Sequence, residues 1–364
     1  MSILYDEGQQ AIASESRRVL EARVAKEELL PLLETSGKYH EIFWNTAKEQ
    51  GWTALALPEA YGGLALGLVE LGLIAHQAGR SLSGASFLTS GYGAAKAIAE
   101  LGTDAQKTRW LPGLASGEII GAVAIAAGAD ALPLHPGVTF TDGRLTGAMT
   151  GVAAGLAADV AVVFANGAGM PVLAVVDLAA TDRRAVASFD NSRCYADVTF
   201  DGAPADILVA GSQAREAALR ILAHQAVVTA HEQTGGAEVL METARDYALT
   251  RRAFGQPIGA FQSVKHRIAE LYALVELARA NCIAAASHEH DAGFIAAAAA
   301  ARLSATEAYD TAARDCIQIH GGIGVTWEAA LHLHMRRART LAIEHGNSLF
   351  WEDILVDELT GGAA

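Results

Sequence analysis

The sequence has no long hydrophobic run. Hydrophobic residues make up 51% of its 364 residues and the mean hydropathy is +0.23, yet no apolar stretch approaches the ~20 residues that a membrane-spanning helix needs. A membrane-spanning protein is therefore not indicated. The first ten residues, MSILYDEGQQ, also lack the basic start and apolar segment of a secretory signal. We expect a cytoplasmic protein.

Cysteine and positive charge are also scarce. The three cysteines lie far apart and without CxxC spacing, so neither a disulfide framework nor a zinc site is indicated: Cys194, Cys282 and Cys316. The histidine pairs HEH and HLH place two side chains only two residues apart, which does not align them on one helix face, so we predict no metal site. With 41 acids against 27 bases and no basic stripe, a nucleic-acid partner is not expected.

Hydrophobic periodicity divides the chain into three parts. Residues 6–35 carry apolar side chains at helical spacing and predict one amphipathic helix, and further helical stretches follow at about 40–51, 65–80, 91–101 and 104–113. After Gly117 come short runs rich in Val, Phe and Thr, several of them bounded by Asp-Gly or Asn-Gly turns. From about residue 206, long Ala- and Leu-rich helical stretches resume.

This order predicts an α+β fold with three domains. We expect an N-terminal helical domain over residues 1–116, a small β-barrel or β-sandwich domain over 117–205 and a C-terminal four-helix bundle over 206–364. The abundance of Ala and Gly in the helical parts suits helices whose backbones approach closely.

Three strings are more specific than these patterns. LPEAYGG (57–63), RRAFGQPIGAFQSVKH (251–266) and CIQIHGGIGVTWE (316–328) resemble the acyl-CoA dehydrogenase family in sequence, order and separation, across essentially the whole chain. The resemblance implies the acyl-CoA dehydrogenase fold and an FAD enzyme that oxidises an acyl-CoA thioester between its α and β carbons. It also implies a dimer or tetramer with FAD across a subunit interface, and electron-transfer flavoprotein as the electron acceptor.

The residue types in the second and third strings suit a dinucleotide. Arg251 offers a fork of donors for a pyrophosphate, Gln262 can donate and accept hydrogen bonds, and Phe254 with Gly255 forms a turn between two helices. The resemblance implies that a larger set of residues holds the adenine-nucleotide half of an FAD bound mainly to a neighbouring subunit: Arg251, Phe254, Gln262, Gln318, Gly321 and Gly322.

The chain departs from the family where the flavin ring is held. The family's T-E-P-x-x-G-S-D loop is replaced by AVAIAAGADALPLH (122–135), and its W-I-T string by GRLTGAMTGVAAG (143–155). No tryptophan occurs between Trp110 and Trp327, so the middle domain cannot supply the indole. By this comparison, the chain lacks most of the residues with which a family member holds the ring of its own flavin.

The catalytic base is also absent from its usual positions. Counting from Gln318, the family's glutamate falls on His345, with Glu344 one place before it. Neighbouring residues on a helix point about 100° apart, so Glu344 does not simply replace its neighbour. The family's second base position, on the first long helix of the C-terminal domain, is Gln225, which cannot accept a proton as a carboxylate does.

Three hypotheses follow from these departures. The chain resembles the non-catalytic subunit of heteromeric α2β2 acyl-CoA dehydrogenases of bacterial steroid side-chain degradation, which would lend its FAD-binding residues to a homologous catalytic chain. A second hypothesis is a self-sufficient homodimer or homotetramer with a displaced base at Glu344 or His345. A third is an architectural subunit that binds no flavin.

Overall fold

The N-terminal part of the chain is helical. The computed structural model describes residues 5–84 and 86–361. The helices of this part are Glu7–Arg23 (α1), Lys26–Leu33 (α2), Glu41–Glu49 (α3), Leu68–Arg80 (α4), Ser86–Leu101 (α5) and Asp104–Ser116 (α6). Within the described ranges, none of the helices of the chain combines the length and the apolar character that crossing a bilayer requires.

The prediction of one helix over residues 6–35 is wrong, because the chain forms two. Asp6 and Gln9 make a capping box that starts α1, and Val24 ends it with an extended backbone. Leu29 of α2 then packs with Leu82 and Leu333, away from the core that α1 covers. The periodicity continues through both helices, so the change of packing partner left no signal in it.

The middle part forms a closed barrel. Its strands are Gly121–Ala124 (β1), Thr139–Thr141 (β2), Arg144–Ala153 (β3), Val160–Gly167 (β4), Met170–Asp177 (β5), Asp182–Val186 (β6) and Tyr195–Ala210 (β7). The ring closes because β4 pairs β5, β5 pairs β7, β7 pairs β3, β3 pairs β2, and β2 pairs β4. Its interior has a separate apolar core.

Long helices make up the C-terminal part. Helix α7 begins at Ser212 and not near residue 206, because β7 continues to Ala210 along β5. The elements are Ser212–Thr250 (α7), the hairpin Arg252–Ala253 (β8) and Gln256–Pro257 (β9), Gln262–Ser287 (α8), Phe294–His320 (α9), Leu331–Leu341 (α10) and Ser348–Thr360 (α11). The predicted order of a helical domain, a β-barrel and a helical C-terminal domain is confirmed.

Helix α7 crosses α4 with their backbones in contact. A Cβ added to Gly79 would lie 1.9 Å from the carbonyl oxygen of Glu232, and one added to Gly235 would lie 1.9 Å from that of His76. Only glycine fits at either position. This close approach places Glu232 of α7 against the last turn of α4.

Replacing either glycine should separate the two helices. We expect Gly235→Ala to lower the free energy of unfolding by about 3 kcal/mol, because its methyl group would overlap a backbone carbonyl. Gly91→Ala in α5 is the matched control: no heavy atom lies within 4 Å of its Cβ position, and alanine favours a helix by up to about 1 kcal/mol. Urea unfolding of both variants measures the difference. Equal stability of the two would contradict the close crossing.

Candidate functional site

Glu344 lies in the loop between α10 and α11, and its carboxylate is fully engaged. Arg193 donates to it from Nε at 2.9 Å and from Nη2 at 2.8 Å, and the hydroxyl of Tyr195 donates to the same carboxylate. Arg193 lies in the short 3-10 turn Asn191–Arg193 just before β7, and Tyr195 is the first residue of β7, both in the middle domain. The side chain is buried.

Arg193 joins this loop to a larger group of charges. Its Nη1 donates to both carboxylate oxygens of Glu232, at 2.8 and 3.1 Å. Glu232 also accepts from Nη1 of Arg337 at 2.7 Å, and Nε of Arg337 donates to Asp190. Arg337 further donates to the backbone carbonyl of Ser83 at 2.8 Å, which ties the segment after α4 to the same group.

Arg302 of α9 fixes the backbone of the loop. Its Nη2 donates to the carbonyl oxygens of Glu344, at 2.9 Å, and of Leu341. Ion pairs join five of these buried side chains, and Arg302 is attached to them through the backbone of the loop. We call the six the interdomain ion cluster, in which three carboxylates balance three guanidinium groups: Asp190, Arg193, Glu232, Arg302, Arg337 and Glu344.

The surroundings keep Glu344 ionised. Burial by itself would raise the pKa of the carboxyl, but the Arg193 guanidinium and the hydrogen bond from Tyr195 outweigh it and lower the pKa from 4.5 to about 2. A general base for carbon acids needs the opposite shift, toward the working pH.

The side chain of His345 is 8% exposed and lies beside α7. Its backbone is left-handed, with φ +58°, and its Nδ1 lies 3.2 Å from the hydroxyl oxygen of Thr229. Burial lowers the pKa of the imidazole from 6.5 to about 4, so the ring is neutral at pH 7. Thr229 in turn donates to the carbonyl oxygen of Gln225 at 2.8 Å. Gln225 of α7 and His345 of the loop after α10, which the resemblance assigns as the family's two base positions, are thus linked through Thr229, and neither is a carboxylate.

The residues of the second and third strings lie at one end of the bundle. Arg251 ends α7, Gln262 begins α8 and Gln318 is in the last turn of α9. The ring of Tyr247 stacks on His320 with 4.0 Å between centroids, which holds the end of α7 against the end of α9.

This end of the bundle presents hydrogen-bond donors to solvent. Arg251 is exposed, and its guanidinium makes no ion pair with the residues that the structure describes. Nothing lies within 4 Å of a Cβ placed on Gly321 or Gly322, so a ligand can approach the backbone here. The N–H of Gly321 itself already donates to the carbonyl oxygens of Ile317 and Gln318. Phe254 occupies a type I′ turn with φ +50°, and its side chain is 96% exposed. Such donors beside an aromatic ring fit a pyrophosphate and a nucleotide.

The middle domain does not offer a matching cradle for a flavin ring. Residues 127–130 form an exposed turn closed by Ala127 and Asp130, and the Asp130 carboxylate accepts from the N–H of Leu132 at 3.1 Å. Met149 points into the barrel core. This turn has neither the hydroxyl nor the indole of the family's ring-holding strings, so the residues here do not fit the ring.

Comparison with known proteins decides the family. Family models described as acyl-CoA dehydrogenase, N-terminal domain and C-terminal domain match residues 6–118 and 215–359. Acyl-CoA dehydrogenase IpdE2 of Mycobacterium tuberculosis is 33% identical over 301 residues, covering 82% of this chain and 81% of that protein. The chain belongs to the acyl-CoA dehydrogenase family.

Solved acyl-CoA dehydrogenases share the fold over its whole length. The Tcur3481-Tcur3483 steroid ACAD G363A variant is similar with a TM-score of 0.87 and 26% identity, covering 98% of this chain and 99% of the other. The ChsE4-ChsE5 complex from Mycobacterium tuberculosis is similar with a TM-score of 0.89 and 24% identity, covering 100% of both chains. The resemblance to steroid-type members of the family is confirmed.

Sequence reasoning missed the partners of Glu344. Arg302 carried a usable signal, since it is the only charge in the Ala-rich run FIAAAAAARLSA (294–305), and a guanidinium buried in such a helix requires partners. Arg193 and Glu232 stand in ordinary polar surroundings in the sequence and carried none.

Breaking the ion cluster should destabilise the fold in a pH-dependent way. At pH 7 we expect Glu344→Gln to lower the free energy of unfolding by about 3–5 kcal/mol, because it leaves the Arg193 guanidinium buried without one of its two carboxylates. The carboxyl has a lower pKa when folded, so acid favours the unfolded state. The stability that Glu344→Gln loses relative to the wild type should be greatest above pH 4.5, and the difference should shrink as the pH falls toward about 2.

Urea unfolding of both proteins between pH 3 and 8 measures this difference. Glu352→Gln, on the exposed face of α11, is the control and should change stability by less than about 0.5 kcal/mol. A difference for Glu344→Gln that stayed constant over the whole pH range would contradict the assigned ion pair.

Proposed function

We propose that this chain is the non-catalytic subunit of a heteromeric acyl-CoA dehydrogenase, in which it supplies half of an FAD site to a catalytic partner. One observation carries the proposal: neither base position offers a free carboxylate. Gln225 is an amide, and Glu344, beside the His345 position, is held by Arg193 and Tyr195.

The geometry argues against a displaced base in this chain. Removal of a thioester α proton needs a base whose pKa is raised toward the operating pH. Here the pKa of Glu344 is lowered to about 2 and that of His345 to about 4, so both are weak bases. The hypothesis of a self-sufficient homo-oligomer with Glu344 or His345 as base is therefore the weaker one.

The exposed end of the bundle supports a role in cofactor binding. Arg251, Gln262 and Gln318 would bind the pyrophosphate and adenine half of FAD, and Gly321 and Gly322 would let the cofactor approach the backbone. When bound, FAD supplies the acceptor for the hydride that leaves the β carbon of the acyl group. The partner chain would contribute the ring-holding strings and the glutamate that this chain lacks.

Apolar side chains around these donors support a partner subunit. A cluster of exposed apolar residues on a folded surface is typical of an interface, and this end of the bundle carries Leu249, Phe254, Ile323, Val325 and Trp327, all about half exposed or more. We propose an α2β2 assembly with a homologous catalytic chain. Its substrate would be an acyl-CoA with a steroid-type side chain, and its electron acceptor an electron-transfer flavoprotein.

The assignment of Arg251 can be tested by flavin content. In the complex with the catalytic chain, Arg251→Ala should weaken FAD binding by roughly 10- to 100-fold, because charge-assisted hydrogen bonds to the pyrophosphate are lost. Arg245→Ala, on α7 and paired with Asp246, is the matched control and should leave FAD content unchanged. The absorbance of protein-bound FAD after dialysis measures both.

Flavin content of the complex and of the chain alone separates the three hypotheses. Unchanged FAD content in Arg251→Ala would favour an architectural subunit that binds no flavin. A yellow protein obtained from this chain alone, able to reduce an electron acceptor with acyl-CoA, would establish a self-sufficient enzyme instead.

A further inference from the structure

Helix α8 has an apolar outer face. Seven of its residues between positions 269 and 284 are exposed, and only one of them is charged: Ala269, Glu270, Tyr272, Ala273, Leu277, Ala280 and Ala284. A helix that meets solvent normally carries charged side chains on its outer face. Helix α1 of this protein does so, with Glu15, Arg17, Arg18 and Glu21 exposed. The outer face of α8 therefore has the composition of a buried surface.

The rest of the described chain covers only the opposite side of α8. That side packs against α7 and α9 through its buried residues: Leu271, Val275, Ala278, Cys282, Ala285 and Ala286. On the outer face, Tyr272 is 56% exposed and Leu277 is 53% exposed. Apolar side chains grouped on a folded surface are typical of an interface. We therefore expect a partner to cover this face.

The outer face has the shape of a helix-packing surface. Its alanines and Leu277 recur at intervals of three or four residues, which aligns them in one row along the helix: Ala269, Ala273, Leu277, Ala280 and Ala284. We call this row the α8 stripe. Methyl side chains allow two helix axes to approach within the usual 8–10 Å or so. A narrow row with one large residue at its centre fits a second helix.

The α8 stripe is complementary to itself. A two-fold axis beside Leu277 would place Ala269 opposite Ala284 of a second copy, and Ala273 opposite Ala280. The two Leu277 side chains would then lie next to each other at the axis. A two-fold interface uses the same surface of both chains and must match itself in this way. The match requires antiparallel helices, an order that also brings opposite ends of the helix dipoles together.

The charged residues beside the α8 stripe suit the same arrangement. In an antiparallel two-fold pair, the same flank of each helix meets, so Glu276 of one copy would lie near Arg279 of the other. Within the chain, Nη1 of Arg279 lies 3.0 Å from Glu276, and both side chains are partly exposed. Each Arg279 would therefore also neutralise the two Glu276 carboxylates, which approach each other at the axis. On the other flank, Glu270 would face Asn281, whose amide can donate to it.

We propose that two copies of this chain associate through an antiparallel contact between their α8 helices, centred on Leu277. A second copy is thus the partner that covers the α8 stripe. The contact does not depend on the proposed role in FAD binding, because Arg251 and Phe254 precede α8, outside the stripe. In the proposed α2β2 assembly, it would join the two copies of this chain.

Engineered cysteines test the contact and its register in the full chain, whose three native cysteines are buried. Under mild oxidation, Leu277→Cys should form a covalent dimer, because the two thiols meet at the axis. Ala269→Cys alone should not, since its two copies would lie about 22 Å apart along the helices. The double variant Ala269→Cys/Ala284→Cys should form the dimer again. A non-reducing gel measures all three, with Glu352→Cys on α11 as the exposed control that stays monomeric.

Sedimentation provides a measurement without engineered cysteines. The wild-type chain should sediment as a dimer, and Leu277→Glu as a monomer, because two carboxylates would be buried at the axis. Its thermal unfolding should show that the variant is folded, since residue 277 is exposed within the chain. A monomeric wild-type chain, or an unchanged mass of Leu277→Glu, would overturn the proposal. So would crosslinking of Ala269→Cys or Glu352→Cys to the same extent as Leu277→Cys.

These outcomes are separate from those of the FAD experiment. Failure of the α8 contact leaves the flavin content of Arg251→Ala as the test of cofactor binding. Unchanged flavin content in Arg251→Ala would in turn leave the mass and the crosslinking pattern of the α8 variants as expected.

Discussion

The bidentate pairing of Arg193 with Glu232 and Glu344 is the interaction on which the arrangement of the domains depends. Arg193 belongs to the middle domain, Glu232 to α7, and Glu344 to the loop after α10. A guanidinium buried without partners would be prohibitively costly, so Arg193 requires both carboxylates at once. The barrel is thus oriented on the helical bundle by directional charge pairs, in addition to apolar contacts.

The ion cluster can form only because the helices approach so closely. Glu232 stands where α7 crosses α4, one turn from Gly235, and its backbone carbonyl touches Gly79. With any larger residue at these crossings, Glu232 would move away from Arg337 and Arg193. The glycines of α4 and α7 therefore keep Glu232 within hydrogen-bonding distance of Arg193 and Arg337.

The sequence predicted the features that depend on neighbouring residues or on short specific motifs. Helical periodicity and turn residues predicted the succession of helical, β and helical parts, and the order of three strings predicted the family. It did not reveal that residues 6–35 form two helices, because the break reflects a change of packing partner. Nor did it reveal the partner of Glu344, which lies 151 residues away in the chain. Contacts between distant charges depend on the completed fold and leave no spacing to recognise.

If this chain is the non-catalytic subunit that we propose, the chemistry of Glu344 explains why a single substitution would not give it a base. A carboxylate that holds domains together is useful when its pKa is low, and one that removes a carbon-bound proton is useful when its pKa is high. The same side chain cannot satisfy both conditions in one environment. A carboxylate at His345 would stand beside Glu344 and within the same ion cluster, where an added negative charge would disturb its neutrality. Restoring a base would therefore require changing Arg193 and its partners together, which would loosen the barrel from the bundle. In the proposed function, this loop holds the domains together, and the base of the site that the chain completes lies on another chain.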